Sequence, residues 1–91
     1  MLFVIEISWK PDKTEEFWKR VAERRVPQHE GVKIIDVYTI PGQYRGISIV
    51  EAPNVEAIAQ ATLNYEGISE SKSFPAIRSS EYIKMRRELL K

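Results

Sequence analysis

The chain of 91 residues contains no cysteine. That absence excludes disulfides, thiolate metal sites and a cysteine nucleophile, and makes a reducing, cytoplasmic setting the expectation. Neither sign of charge is in excess: 14 basic residues stand against 13 acidic ones, for a net charge of +1. No general attraction to phosphate backbones or anionic lipid follows from such a balance, so neither nucleic acid nor membrane is an expected partner. Long hydrophobic runs are also missing. Glu6 and Ser8 interrupt the apolar opening MLFVIEISWK, which has neither the basic leader of a signal peptide nor the length of a membrane span. Histidine occurs once, as His29 in the loop VPQHEG, where a solvated side chain is the expectation, and no metal or other cofactor is called for. Phosphate-binding glycine loops, triad spacings and metal motifs are absent.

A chain of this length is one domain, here residues 1–91, and buries only about 60% of its unfolded surface. A second copy would add burial that one chain lacks. Residues 2–9 alternate Phe3, Ile5, Ile7 and Trp9 against Leu2, Val4, Glu6 and Ser8, the two-residue period of a central strand. KPDKTEEFWKRVAERRVP follows as a helix capped by Asp12 or Thr14, with Phe17, Val21 and Ala22 on its buried stripe and Trp18 or Arg25 beside them. GVKIIDVYTI and YRGISIVEA then form a hairpin about the turn PGQ at 41–43.

Asn54 caps a second helix with Val55, Ile58, Ala59 and Thr62 or Leu63 facing inward and Gly67 as its stop. ISESKSFPAIRS reads as an edge strand, because Pro75 cannot donate to a ladder. A final helix over about 80–91 carries a Tyr82, Met85, Leu89 stripe that needs a surface to lie against. The order βαββαβ is that of a ferredoxin-like α+β sandwich, here with a C-terminal helix added.

Phe3 and Arg45-Gly46 also echo the strand signatures of RNA-recognition modules, yet Ile47, Ile49 and Ala52 stand where stacking rings are required. RNA binding is therefore the third-ranked expectation. Its hydrophobicity assigns Ile47 and Ile49 to the face under the helices, leaving Gly46, Ser48 and Val50 on the open face beside Val4, Glu6 and Ser8. Such a mixed face suits closure against a second copy, with polar groups lining an enclosed cleft.

At LFVIEISWKPD, GVKIIDVYTI and RGISIVEA, with FPAI as a fainter echo, the chain resembles the small domains of unknown function in the dimeric α/β-barrel superfamily. The resemblance covers most of residues 1–78. It implies a homodimer whose sheets close into a barrel, in a superfamily that holds cofactor-independent monooxygenases, muconolactone-type isomerases, haem-dependent enzymes and proteins without known activity. An aromatic-His pair commonly ends the second strand of the family, where this chain has Tyr38 and Thr39, so no role of that histidine carries over.

Glu6 is the first candidate for acid/base work, since a carboxylate in an apolar strand either pairs, with Arg45 or across a dimer, or is tuned for proton transfer. Asp36 and Tyr38 join it if the hairpin turn has three residues, which places Tyr38 opposite Gly46 and Asp36 opposite Ser48; a two-residue turn reverses the faces of the second strand. In this reading Gly46 opens a gap between Glu6 and Tyr38, with Ser8, Arg45, Gly46 and Ser48 as ligand-binding positions. Gly46 as a bulge or close-approach point is the structural alternative. Trp9 and Trp18 are expected as packing anchors, and Glu51 as a strand-end ion pair. The functional expectation is a homodimer that binds, and as an enzyme converts, a small organic molecule. A non-catalytic binding or structural dimer is the alternative.

Overall fold

The computed structural model describes residues 1–24, 31–63 and 65–90; His29 and Arg25 lie outside them. The elements run β1 (Leu2–Trp9), a 3-10 turn (Pro11–Lys13), α1 (Thr14–Arg24), β2 (Lys33–Ile40), β3 (Arg45–Glu51), α2 (Val55–Leu63), β4 (Ser69–Ala76) and α3 (Ser79–Leu89). All neighbouring strands are antiparallel, in the order β2-β3-β1-β4. This is the expected ferredoxin-like α+β fold, with β1 central and β4, which contains Pro75, at an edge. Pro75 sits opposite Phe3 on a strand whose outer side needs no ladder donor.

Local chemistry explains where the helices start. Thr14 Oγ1 donates to the Pro11 carbonyl at 2.8 Å and accepts from Trp9 Nε1 at 3.2 Å, tying the first turn of α1 to the end of β1. Asn54 Oδ1 accepts from the Ala57 amide at 2.9 Å, the cap expected for α2. That cap turns Ala57, Ile58 and Ala61 inward and leaves Val55 and Leu63 exposed. The expected inner stripe of Val55, Ile58, Ala59 and Thr62 or Leu63 thus holds at Ile58 and, half-buried, at Thr62, and fails at Val55, Ala59 and Leu63. Small alanines, rather than bulk, let the helix approach the sheet. On α1, Phe17 is buried and Val21 half-buried, while Ala22 is exposed and not part of the stripe.

The core has two parts. Phe3, Ile5, Val50, Ala52, Ala57 and Ile58 form one; Trp9, Phe17, Tyr65 and Ile68 form the other. Trp9 stacks on Phe17 with ring centroids 4.2 Å apart and 11° between planes, and Tyr65 tilts against Phe17 at 5.7 Å. Trp9 is the anchor expected, and Trp18 meets it edge-on at 5.7 Å.

The faces of β3 are the reverse of the expectation. Phe3 pairs with Val50, Ile5 with Ser48 and Ile7 with Gly46, and residues directly opposite in an antiparallel pair share a face. Gly46, Ser48 and Val50 therefore lie under the helices, and Ile47 and Ile49 lie on the open face with Val4 and Glu6. Aliphatic character misled because β3 is apolar on both faces, and Val50 with Ala52 supplies the fit beneath α2.

The hairpin differs too. Ile40 pairs with Arg45, so the connection has four residues, 41–44, with Gly42 and Tyr44 at φ +78° and 54°. A bulge between Ile34 and Asp36 shifts the ladder. Asp36 then falls opposite Ile49 and Tyr38 opposite Ile47, not Ser48 and Gly46. The one-residue shift from the longer turn and the reversal of the β3 faces cancel, so both side chains remain on the open face, while the bulge acts only beyond Asp36.

Candidate functional site

The sheet carries a cavity on each side. On the open face a polar hollow of about 280 Å³ is lined by Glu6, Ser8, Arg45, Glu70 and Lys72, with backbone from Gly46. Beneath the helices a second cavity of about 230 Å³ is lined by Ile7, Trp9, Phe17, Trp18, Val21, Ile34, Val37, Thr39, Ser48 and Tyr65, and reaches Tyr38, Gly46 and Ile47 on the β2–β3 pair.

The open-face row that contains Glu6 runs Tyr38, Ile47, Glu6, Lys72 across the four strands. Glu6 and Tyr38 are two strands apart, ~10 Å at the backbone, as expected, but Ile47 fills the interval where a glycine gap was expected. Glu6 is exposed in the single chain, so burial by its own chain gives it no special environment. The next row, Ile40, Arg45, Ser8, Glu70, sets a second cation near a second acid. Among the described residues Glu6, Arg45, Glu70 and Lys72 make no ion pair within the chain. The Glu6–Arg45 pairing expected as an alternative does not form.

Asp36 and Tyr38 form a unit of their own. The Tyr38 hydroxyl donates to Asp36 Oδ2, and Asp36 Oδ1 accepts from the Val37 amide at 3.0 Å. The hydrogen bond to that carboxylate, then its negative charge, holds the Tyr38 phenol above its ordinary value of 10.0. Glu51, the expected strand-end pair, meets Arg78 at 3.4 Å.

Gly46 and Ser48 serve the other cavity. A Cβ on Gly46 would come 2.9 Å from the Tyr38 carbonyl oxygen, so the glycine is a close-approach point between β3 and β2. Its missing side chain and the small Ser48 also leave the floor beneath α1 uncovered. No ionisable carboxylate, amine, guanidinium or imidazole lines this space; its polar side-chain groups are hydroxyls and the indoles of Trp9 and Trp18. Val37 and Trp18 at its mouth are 52% and 42% exposed. Sequence reasoning placed Trp9, Phe17 and Tyr65 in no site. The available signal was the aromatic run Trp9, Phe17, Trp18 facing a strand with two small residues in alternate positions. Lys72 and Glu70 were also missed, for want of the β1–β4 register.

Among the described residues no group of His, Asp or Glu side chains converges as a metal site, and no helix is long and apolar enough to cross a membrane.

A ferredoxin-like α+β unit with a pocket between sheet and helices defines the class of the chain. Solved structures agree on the fold. MtbAldR superposes with a TM-score of 0.54 at 17% identity, over 85% of this chain and 54% of that one, so the chain spans about half its length. An Agrobacterium tumefaciens protein gives 0.51 at 13% identity, over 86% and 95%. An antibiotic biosynthesis monooxygenase gives 0.49 at 17%, over 85% and 99%. No curated protein matches the chain. The particular family is shown by sequence: the chain belongs to the domain of unknown function DUF3303, whose family model matches residues 1–90.

Proposed function

We propose that the protein is a homodimeric binder of a small, neutral, largely apolar molecule held between sheet and helices. The observation that carries this reading is the cavity of about 230 Å³ walled by Trp9, Phe17, Trp18 and Val37 and free of charged side chains. An apolar cavity of ~150 Å³ holds a benzene-sized ring, so this one suits a molecule of about two rings. Burying a charged ligand there would cost several kcal/mol without a counter-charge. Ser48, Thr39 and the Tyr65 hydroxyl offer the few polar contacts that orient such a ligand. The open faces close against each other in the dimer, which covers Val4, Ile47 and Ile49.

A second reading keeps Glu6, Asp36 and Tyr38 as catalytic groups, with Ser8 and Arg45 as ligand contacts, on the open face. The Asp36–Tyr38 hydrogen bond favours it, because it fixes a phenol in the same cross-strand row as Glu6, with Ile47 between them. Gly46 and Ser48 belong to the first reading. RNA binding loses ground: Phe3 is buried under the helices and cannot stack on a base.

The two readings separate by ligand charge. Quenching of tryptophan fluorescence should report 1-naphthol binding at least about tenfold tighter than 1-naphthoate. Naphthoate binding equal to or tighter than naphthol would instead direct attention to Arg45 and Lys72 on the open face.

A further inference from the structure

The cavity beneath α1 has a smaller neighbour. A space of about 30 Å³ shares Ile7, Ile34, Ser48 and Tyr65 with it and is bounded further by Val32, Val50 and, on α2, Ala61. Strand register says where the two meet. Val37, Ser48 and Ile5 form one cross-strand row on the helix side of the sheet; Val37 and Ser48 line the larger space, Ser48 and Ile5 the smaller. Both stand over Ser48, the small residue of that row.

The same row is the seam of the core. Ile5 and Val50 belong to the group packed with Ala57 and Ile58 of α2, Trp9 and Phe17 to the aromatic group, and the two groups have no residue in common. Within the small lobe the Thr62 hydroxyl donates to the Ala59 carbonyl of its own helix at 3.0 Å. Ser48 is half-buried, and among the described residues its hydroxyl makes no hydrogen bond. Such a hydroxyl, set among aliphatic neighbours, gains from a ligand oxygen placed against it.

Resting on the binding reading proposed above, we infer that the site is built for a branched aromatic alcohol: a ring beneath α1, its oxygen hydrogen-bonded to Ser48 Oγ, and a short aliphatic branch in the lobe beneath α2. Oxygen and branch both leave the ring over Ser48, so they occupy neighbouring ring carbons. Volume limits the branch. One water needs a space of ~10–15 Å³, so the lobe takes about one or two carbons. Ala61 on α2 and Val32 beside β2 bound the lobe and set that limit.

Tryptophan fluorescence titrations should compare 1-naphthol with its 2-methyl, 2-ethyl and 2-propyl derivatives. Burial of each of the first two carbons should tighten binding about fourfold, and propyl should bind more weakly than ethyl. In Ala61→Val the gain of ethyl over 1-naphthol should vanish. In Val32→Ala the optimum should move to propyl, and this variant decides if Ala61→Val does not fold. Ser48→Ala should weaken 1-naphthol about fivefold relative to naphthalene. Derivatives that bind no tighter than 1-naphthol overturn the branch while the binding reading stands. An ethyl gain intact in folded Ala61→Val, or an optimum unmoved in Val32→Ala, places the branch elsewhere and likewise overturns it. A naphthol preference unchanged in Ser48→Ala takes the oxygen off Ser48 and overturns the ligand class. A protein that binds neither 1-naphthol nor its derivatives overturns this inference and the binding reading together.

Discussion

The two faces of β3 make an instructive pair. Arg45, Ile47, Ile49 and Glu51 point to the open side; Gly46, Ser48 and Val50 point beneath the helices. By hydrophobicity the first set, with its two isoleucines, ought to be the core face, and the second, with a glycine and a serine, the wet one. The fold does the opposite. A core face is selected by fit as well as by apolarity: Val50 meets Ala57 and Ile58, while Gly46 and Ser48 leave room that aromatic rings from α1 border. The apolarity of the other face then calls for a cover from outside the chain.

This contrast can be broken most forcefully at the aromatic wall. Phe17→Ala removes the ring stacked on Trp9, and should cost about 3–5 kcal/mol in chemical denaturation. Ile47→Ala, on the open face, should cost less than half as much once the chain is diluted to monomer. Equal losses in the two variants would mean that both faces are core.

Gly46→Ala probes the boundary between the faces. Its Cβ meets the Tyr38 carbonyl, a backbone atom that moves only with β2, so the variant should lose about 1–3 kcal/mol and a melting experiment should show it. A variant as stable as the parent would mean that β2 yields freely there.

The smallest effect belongs to the open face. The Asp36 carboxylate raises the Tyr38 phenol, so Tyr38 favours the folded state at neutral pH and that contribution disappears as pH rises through its raised value. Ultraviolet titration should find Tyr38 ionising above the ordinary range, and Asp36→Asn should return it there. An unchanged titration in Asp36→Asn would remove the pair from the account.

Much of the architecture was legible in the sequence. Period-two alternation in residues 2–9, the Asn54 cap and Pro75 on an edge strand each rest on a local rule, and each holds. The faces of β3 rest on no local rule. Ile47 and Val50 are equally apolar, and only the pairing of Phe3 with Val50 decides between them. The register of β2 depended on Tyr44 adopting a positive φ in the turn and on the bulge after Ile34, neither of which its residues announce. The apolar cavity was invisible for a related reason: it is made by what Gly46 and Ser48 leave out, under helices whose docking is a tertiary event.

The most direct measurement locates 1-naphthol on the protein by intermolecular nuclear Overhauser effects. The account predicts contacts from its ring protons to Trp18, Val37 and Ser48, beneath the helices. Contacts to Glu6, Ser8 and Lys72 instead would contradict it and place the ligand site on the open face.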